Sequence, residues 1–505
     1  MRKTIVILLG VLLALLPFHP FLITALEGNT SSNSFVLFRI WKEVLLVVAM
    51  TLSFFFVLSR KEFFQKWNAL SLVVFFFALL SLITGVLFTG TGFPENIPQI
   101  ALGAKYGLFF LLILVVLSWI PIRTVERNIL ENIALTSGVI VVVFGILQIT
   151  ILPENFLVQF GYSPEYGNIH PDGAISYCHK IENSITREEF CRIQSTLSGP
   201  NQLGAYLLLL FPLLWMRLRK AEIYSVERFF LGIVLLGGAF VFLMTWSRSA
   251  WIGVIAMLAG VFVLQAHRPL VATGALSLFG LGTTALFAPI FSITPWDAWK
   301  PVSLAFASIS IISLIVLTIG NLKKRWFFQG MGLVFTFLLS WLVAVRFFFD
   351  TFFWNILLRP SSSQGHWERW KDGAEYMLQY PLGLGLGDAG PASARFANLG
   401  ETGFLPESWY LQVGLESGFL GLALFLIILI LLGRSLFLAK NDLARAMLFS
   451  LIGISAAACF LHTWESSVVS YSFAILAAVG LASQEEPSFF QRIFGKITEL
   501  FHRNS

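Results

Sequence analysis

Residues 229–265 read FFLGIVLLGGAFVFLMTWSRSAWIGVIAMLAGVFVLQ, and this nearly continuous apolar run decides the class of fold. As a single α-helix the run would be about 55 Å long at 1.5 Å per residue, far longer than a bilayer is thick. The chain must therefore turn near TWSRSAW, residues 245–251, and we expect a membrane-spanning helix on each side of the turn.

The composition of the chain agrees with a membrane location. The 505 residues are 57% hydrophobic and only 12% charged, whereas soluble proteins carry about 25% charged residues. The net charge of +6 does not indicate nucleic-acid binding, because the basic residues fall in short clusters between apolar runs, as in the loops of polytopic membrane proteins. We therefore expect an all-α polytopic membrane protein with no nucleic-acid partner.

Windows of roughly 20 apolar residues, the length that crosses the hydrocarbon core, give about fourteen predicted transmembrane helices. They are 4–26, 40–58, 69–89, 105–122, 129–152, 199–216, 229–245, 249–265, 269–293, 302–320, 327–349, 411–432, 444–462 and 466–482. The first has no cleavage pattern of small residues after it, so we expect an uncleaved helix.

Clusters of Lys and Arg fall in alternate loops, which the positive-inside rule assigns to the cytoplasm. Both termini are then expected to be cytoplasmic in a bacterial-type inner membrane, with the large polar loops on the extracytoplasmic side. The predicted organisation is N-terminal helices (1–152), an extracytoplasmic loop (153–198), central helices (199–349), a large extracytoplasmic loop (350–410), C-terminal helices (411–482) and a basic amphipathic tail on the inner surface (483–505).

Cys178 and Cys191 share the first of these loops, and Cys459 lies in an apolar run. If the loop faces an oxidising compartment, the first two cysteines can form a disulfide. Two free thiols are an equally good interpretation of the sequence.

The segment SSSQGHWERWKDGAEYMLQYPLGLGLGDAG, residues 361–390, concentrates ionisable side chains in an otherwise apolar chain. Trp and apolar residues recur there at three- and four-residue spacing, which predicts a short amphipathic helix at the membrane interface that ends before Pro381. The alternating glycines that follow predict a tight or mobile loop. We interpret them as a flexible connector in preference to a phosphate-binding loop.

Three further places carry candidate site residues. Arg248 in TWSRSAW either caps a hairpin between two spans or presents a cation to an extracytoplasmic cavity, where it would suit a phosphate. Asn201 in SGPNQLGA either satisfies a broken helix or binds a sugar. His462 and Glu465 in HTWESS are expected to form a structural turn.

The end of the large loop reads PESWYLQVGLESGFLGL, residues 406–422. Pro406 suits a first helical turn, which places Glu407 at the positive end of a membrane helix. Glu416 would lie about two turns further on, inside the membrane boundary, where ionisable groups usually face a cavity or a partner. The pair Gly414 and Gly418 is interpreted as a helix-packing motif.

Four elements occur in order along the chain: GPNQLGA at 199–205, SRSAW at 247–251, a Trp-(x10)-Pro-x-Gly-x-Gly pattern from Trp370 to Gly385, and ESWYLQVGLESGFLGL at 407–422. In layout and motifs the chain resembles the O-antigen ligase and polymerase superfamily. Members of that superfamily move lipid-linked glycans on the extracytoplasmic face of the membrane.

The resemblance implies metal-independent, cofactor-independent transfer of a glycan from an undecaprenyl-pyrophosphate carrier to a hydroxyl of a glycolipid, glycan or protein. Arg248 matches the first family arginine that neutralises the pyrophosphate. The chain departs from the family in two places. His366 stands where an arginine is common, with Arg369 beside Trp370, and Glu407 stands where a histidine is common. Either the cation and the base have changed residue type, or the catalytic assignment fails here.

Glycosyl transfer from a pyrophosphate needs positive charge at the leaving group and a base at the incoming hydroxyl. A transporter or lipid flippase, or a non-catalytic envelope-assembly relative, is the alternative; an enzyme is favoured because the polar residues cluster on one face and no internal repeat is visible. The predicted roles are catalysis for Glu407 and His366, pyrophosphate binding for Arg248 and Arg369, and substrate contact for Asn201, Glu416 and Trp370.

Overall fold

A computed structural model describes residues 1–27, 36–89, 94–163, 175–182, 189–222, 224–265, 360–396 and 404–482. Six of the helices in this part of the chain are long and apolar enough to cross a membrane, or seven if one bent pair counts as a single span. These helices support the predicted multi-pass helical membrane protein. The total of about fourteen helices stays a prediction, because 269–293, 302–320 and 327–349, like the tail, lie outside the described residues.

The helices are α1 (Arg2–Leu15), α2 (His19–Glu27), α3 (Val36–Ser59), α4 (Ala69–Phe88), α5 (Ile97–Gly107), α6 (Phe109–Ser118), α7 (Thr124–Thr150), α8 (Pro200–Lys220), α9 (Val226–Met244), α10 (Arg248–Gln265), α11 (Pro360–Gln379), α12 (Gly390–Phe396), α13 (Trp409–Leu438), α14 (Asp442–Ala457) and α15 (Ser467–Leu481). Strands β1 (His179–Glu182) and β2 (Glu189–Arg192) form a two-stranded sheet. Short 3₁₀ turns cover Leu16–Phe18, Phe63–Lys66, Phe156–Phe160 and Thr463–Glu465.

The predicted turn inside 229–265 is confirmed. Helix α9 ends at Met244 and α10 begins at Arg248, and between them Trp246 has a φ of 50°, a left-handed conformation that breaks a helix. The predicted span 105–122 is instead part of the bent pair α5 and α6, whose axes differ by 53°. Its break falls at Leu108, between two helices that are each too short to cross a bilayer alone.

The chain forms two compact units. The first contains Met1–Lys180, Cys191–Val254 and Arg369–Ser505, and the second contains Ile181–Phe190 and Ile255–Glu368. Except for His366, every candidate site residue belongs to the first unit.

Helices α8 and α14 run in opposite directions. Halfway along, the Ser450 hydroxyl of α14 donates a hydrogen bond to the carbonyl of Leu209 in α8 at 3.4 Å. The last residue of α8, Lys220, forms an ion pair of 3.0 Å with Asp442 at the start of α14. The start of α8 therefore lies beside the end of α14.

Helices α8 and α10 run in the same direction. A Cβ added to Gly204 near the start of α8 would meet the Cβ of Ala250 near the start of α10 at 2.7 Å. One turn further along, Leu208 lies against Gly253 in the same way. Two glycines, one on each helix, thus let the helix backbones approach closely.

The start of α13 reaches the same end of the bundle. The backbone N–H of Trp409 donates to the carbonyl of Ala458, just beyond α14, at 3.0 Å. The starts of α8, α10 and α13 therefore lie together, at what we call the Trp409 end. The ion pair between Arg217 and Glu227 belongs with Lys220 and Asp442 at the opposite end.

Candidate functional site

Two of the four sequence motifs are packed against each other at the Trp409 end. A Cβ on Gly204, in GPNQLGA, would meet Ser247 as well as Ala250 in SRSAW. The motifs are far apart in sequence, and the glycine is what lets their backbones touch. Arg248 is the first residue of α10 and is half-buried, so it is a helix-start cation at this contact.

Arg192, which the sequence interpretation missed, joins the same two motifs. Its Nε donates to the Thr245 carbonyl at 2.8 Å, and its Nη2 donates to Oδ1 of Asn201 at 2.7 Å. Asn201 therefore satisfies a guanidinium, which neither of its two sequence interpretations foresaw. Arg192 lies on the predicted extracytoplasmic side, a few residues before GPNQLGA. A basic residue at that position could have been recognised from the sequence as a candidate site residue.

Arg369 and Glu407 form an ion pair, with Nη1 and Oε1 2.8 Å apart. The Glu407 side chain is only 9% exposed, whereas that of Arg369 is 58% exposed. A carboxylate inside the protein surface is thus held by a guanidinium that still faces outward. The sequence placed these residues in separate roles, as base and as pyrophosphate ligand, and the structure brings them together.

The predicted helix start at Pro406 was wrong by about three residues. Helix α13 begins at Trp409, and Ser408 occupies the N-cap position with extended backbone angles. Pro406 and Glu407 therefore precede the helix. Glu407 still lies within two residues of the positive end of α13.

The glycine row after α11 is a tightly packed turn, not the flexible connector that we favoured from the sequence. Gly383, Gly385, Gly387 and Gly390 all have positive φ angles. A Cβ at Gly383 would meet the backbone of Gly418 at 2.7 Å, so side chains are excluded by contact as well as by conformation.

The backbone N–H groups of this turn are used inside the protein. Leu384 donates to Leu415 O at 2.6 Å, and Gly387 donates to Oε1 of Glu416 at 3.1 Å. The N–H groups of Gly383, Asp388 and Gly390 donate to the carbonyls of Tyr380, Gly385 and Phe404. A phosphate-binding loop presents such groups to its ligand, so these five bonds argue against that role.

Glu416 is buried, with 3% of the residue exposed, and its partner is the glycine turn. Helix α13 is interrupted just after it, where Gly418 has a φ of 69°. The freed carbonyl of Glu416 accepts a bond of 3.2 Å from the Thr84 hydroxyl of α4. The contacts of Glu416 among the described residues thus brace a kink in α13.

The helix-packing interpretation fits Gly414 but not Gly418, which has a φ of 69° at the kink and lies against the glycine turn. A Cβ on Gly414 would meet Met377 Sδ of α11, and one on Gly418 would meet the carbonyl of Pro381. Helix α11 itself matches the predicted amphipathic helix, and Pro381 follows its end. Trp370 is half-buried in this helix.

His366 is half-buried in the part of α11 that belongs to the second unit. Its catalytic role, inferred from the sequence, stays a prediction.

His462 precedes a 3₁₀ turn and Glu465 is its last residue, as expected for a structural turn, with Nδ1 and Oε1 3.9 Å apart. The intervening Trp464 stacks on Phe110 with ring centroids 5.2 Å apart. Burial in this turn raises the pKa of Glu465 to about 8. The carboxyl therefore holds its proton well above the ordinary range.

The sequence interpretation also passed over a buried polar cluster in the N-terminal helices. Lys42 Nζ lies 2.7 Å from Nε2 of His19 and 3.3 Å from Glu43. Lys105 pairs with Glu43 from the other side at 3.0 Å. Lys42, Glu43 and Lys105 lie inside predicted spans. Because charges in such segments need partners, this cluster could have been expected from the sequence.

Cys178 and Cys191 are joined in a disulfide, which decides between the two interpretations of the loop. Cys178 is fully buried in an apolar cluster with Leu157, Tyr162 and Tyr177. The cluster ties β1 and β2 to the segment that follows α7, and Arg192 comes directly after Cys191 in β2.

Comparison with known families agrees with the motifs. No curated protein matches the chain. The family model described as O-Antigen ligase matches residues 302–426, a range that includes Arg369, Glu407 and Glu416. This match covers about a quarter of the chain. It confirms the resemblance in the region that holds the last two of the four motifs, and supports an O-antigen ligase-like superfamily assignment.

Proposed function

We propose that this chain is a membrane glycosyltransferase that moves a glycan from a polyprenyl (undecaprenyl) pyrophosphate carrier to an acceptor hydroxyl. The observation that carries the proposal is the ion pair between Arg369 and the buried Glu407. The pair lies inside the region that matches the O-antigen ligase family. Helix α13, which starts beside Glu407, begins at the same end of the bundle as the helices that carry Arg248 and Asn201.

The reaction needs only groups that this site supplies. The acceptor oxygen attacks C1 of the sugar, and its proton passes to Glu407 as general base. The bond between C1 and the phosphate oxygen breaks, and the electron pair leaves with the polyprenyl pyrophosphate. Arg248 and Arg369 stabilise the negative charge on this leaving group, since guanidinium groups match phosphate oxygens in geometry.

The Arg369–Glu407 pair links the two halves of this reaction. When Glu407 accepts the proton it becomes neutral, and its attraction for the guanidinium falls. Arg369 is mostly exposed, so its guanidinium can then turn toward the pyrophosphate. Proton uptake by the base thus releases a cation at the moment when negative charge develops on the leaving group.

Two observations support an extracytoplasmic site. The disulfide between Cys178 and Cys191 fits an oxidising compartment. The basic residues at the end of α8, Arg217, Arg219 and Lys220, lie at the end opposite Trp409, and basic clusters favour the cytoplasm. This orientation puts both termini in the cytoplasm and the site on the side that cytosolic nucleotides do not reach. A lipid-linked donor fits that side, because its transfer does not need a nucleotide.

Labelling a cysteine at position 372 tests the orientation. The Asp372→Cys variant should react with an impermeant thiol reagent that has access only to the extracytoplasmic side. Reaction only after the inner membrane is disrupted would contradict the orientation.

Reconstitution of the purified protein tests the activity. A polyprenyl-pyrophosphate glycan is supplied with lipid, glycan and protein acceptors, without nucleotide or added metal. We expect transferred glycan and released polyprenyl pyrophosphate, both lost in Arg248→Ala and retained in Glu227→Gln, which alters an ion pair at the opposite end. Donor binding without transfer to any acceptor would favour a transporter or a scaffold.

A further inference from the structure

Residues 192–196, between β2 and α8, form a junction that ties several elements together. Ile193 N–H donates to Met244 O at 3.3 Å, and Gln194 Nε2 donates to Ser176 O at 3.0 Å. Ser195 N–H donates to Gln148 of α7 at 2.9 Å. The Thr196 hydroxyl donates to Pro17 O at 2.9 Å. Ile193, Gln194, Ser195 and Thr196 thus bond to four different parts of the first unit.

Arg192 is the member of this junction that reaches the candidate site. Its guanidinium donates from two nitrogens to two separate segments, the Thr245 carbonyl and the Asn201 side chain. The planar guanidinium fixes the angle between these two bonds. It therefore sets the distance between the start of α8 and the turn that leads into α10.

The Thr245 carbonyl is a critical point in that turn. Three residues later comes Arg248, and between them Trp246 holds a left-handed φ of 50°, which costs energy in a non-glycine residue. The Thr245 hydroxyl also accepts a bond of 3.3 Å from Ser247 N–H. A strained turn keeps its shape only if neighbouring contacts hold it, and the Arg192 bond is one such contact.

The disulfide fixes the residue that precedes Arg192. Cys191 is bonded to Cys178, which is fully buried. The guanidinium therefore projects from a strand that is covalently held to the apolar cluster around Leu157. On Asn201 the bond to Arg192 uses the amide oxygen, so a ligand meets this residue as an NH₂ donor.

We propose that Arg192 is a positioning residue that holds Arg248 and the Asn201 amide in the arrangement that binds the pyrophosphate of the donor. This inference rests on the proposed function. Arg192 acts through its neighbours, because Nε and Nη2 are engaged by Thr245 and Asn201. Lysine keeps the charge but has no planar fork, so it cannot reproduce both bonds in the same geometry.

A double-mutant cycle on donor binding tests the proposal. The affinity for polyprenyl pyrophosphate is measured in full-length wild type, Arg192→Lys, Arg248→Ala and the double variant. We expect Arg192→Lys to weaken binding roughly tenfold, the size expected for losing a charge-assisted hydrogen bond. In the Arg248→Ala background the same change should have less than about a twofold effect, because the group that it positions is absent.

The outcomes separate this inference from the proposed function. If Arg248→Ala binds the pyrophosphate as wild type does, both the positioning role of Arg192 and the pyrophosphate-binding role of Arg248 in the proposed function are overturned. If Arg248→Ala weakens binding but Arg192→Lys costs the same factor in both backgrounds, only the positioning role is overturned. Wild-type affinity in Arg192→Lys also overturns it. Arg228→Lys is the matched control, since Arg228 donates to the Ala221 carbonyl at the opposite end.

A second measurement applies if Arg192→Lys does not give folded protein. Reducing the disulfide in folded wild-type protein loosens the strand without any substitution. Donor binding should weaken and recover on reoxidation, whereas the Arg248→Ala variant should not respond. In that case, unchanged wild-type affinity after complete reduction overturns the proposal.

Discussion

Arg369 donates a hydrogen bond of 2.8 Å to Glu407, which lies 38 residues further along the chain. The bond joins helix α11 to the segment that leads into α13. The same two elements also meet where Gly373 lies against Pro406 and Leu411. Helix packing therefore holds the backbones of Arg369 and Glu407 near each other, and the two charges hold the side chains together.

Replacing Glu407 tests the base. Glu407→Gln should lower transfer by about 10²–10⁴-fold, because an amide cannot accept the acceptor proton. Donor affinity should stay within roughly threefold, since the interaction lost acts mainly in the transition state. Single-turnover transfer and equilibrium donor binding measure the two effects separately. An unchanged turnover number would remove Glu407 as the base.

Substitutions at Arg369 separate charge from structure. Arg369→Gln should lower transfer more than Arg369→Lys, since lysine keeps the positive charge at the leaving group. Arg369→Gln should also lower stability by about 1–3 kcal/mol, because it removes the cation that holds a carboxylate only 9% exposed, whereas Arg369→Lys should cost less. Transfer rates and unfolding in detergent give both quantities, with Arg217→Gln as control. Equal activity in the two Arg369 variants would show that the charge is not used.

The raised pKa of Glu465 predicts how stability depends on pH. The pKa is raised from 4.5 to about 8, so between these values the folded chain holds a proton that the unfolded chain releases. Stability should therefore fall as pH rises through this window. Among the described residues, Glu465 faces the titratable groups His462, Tyr106 and Glu416 and the amide of Gln412. Melting curves of Glu465→Gln should lose part of this dependence; an identical slope in variant and wild type would contradict the shift.

The disulfide should be a main stabiliser of the loop. Replacing both Cys178 and Cys191 by Ser should cost about 3 kcal/mol, the effect expected when a short loop loses its cross-link. The variant Cys459→Ser is the matched control, since Cys459 is a free thiol. Thermal unfolding with and without reductant measures the difference. A double variant as stable as the control would mean that the apolar cluster holds the loop unaided.

The glycine turn gives a sharp test of packing. A Cβ at Gly387, where φ is 94°, would lie 2.5 Å from the carbonyl of Gln99. Gly387→Ala should therefore destabilise the protein by about 1–3 kcal/mol and disturb the bond to Glu416. Gly232→Ala is the control, because nothing lies within 4 Å of that position. Similar melting temperatures for the two variants would contradict the packed turn.

Local patterns in the sequence determined the helices. The length of an apolar run fixes whether a bilayer can be crossed, so the turn before Arg248 followed from 229–265 without any knowledge of contacts. The spacing of apolar residues likewise predicted α11 and its end before Pro381. The order of motifs predicted the family. Apart from the motif order, which runs from residue 199 to residue 422, these signals act over one or two helices.

Only the tertiary structure decided which polar residues meet. The pairs Arg369–Glu407, Arg192–Asn201 and Gly387–Glu416 join positions from different elements, and no local spacing brings such positions together. The glycine turn was misjudged for the same reason. Alternating glycines permit a flexible loop or a packed one, and the choice depends on whether another backbone lies against them, as that of Gly418 does.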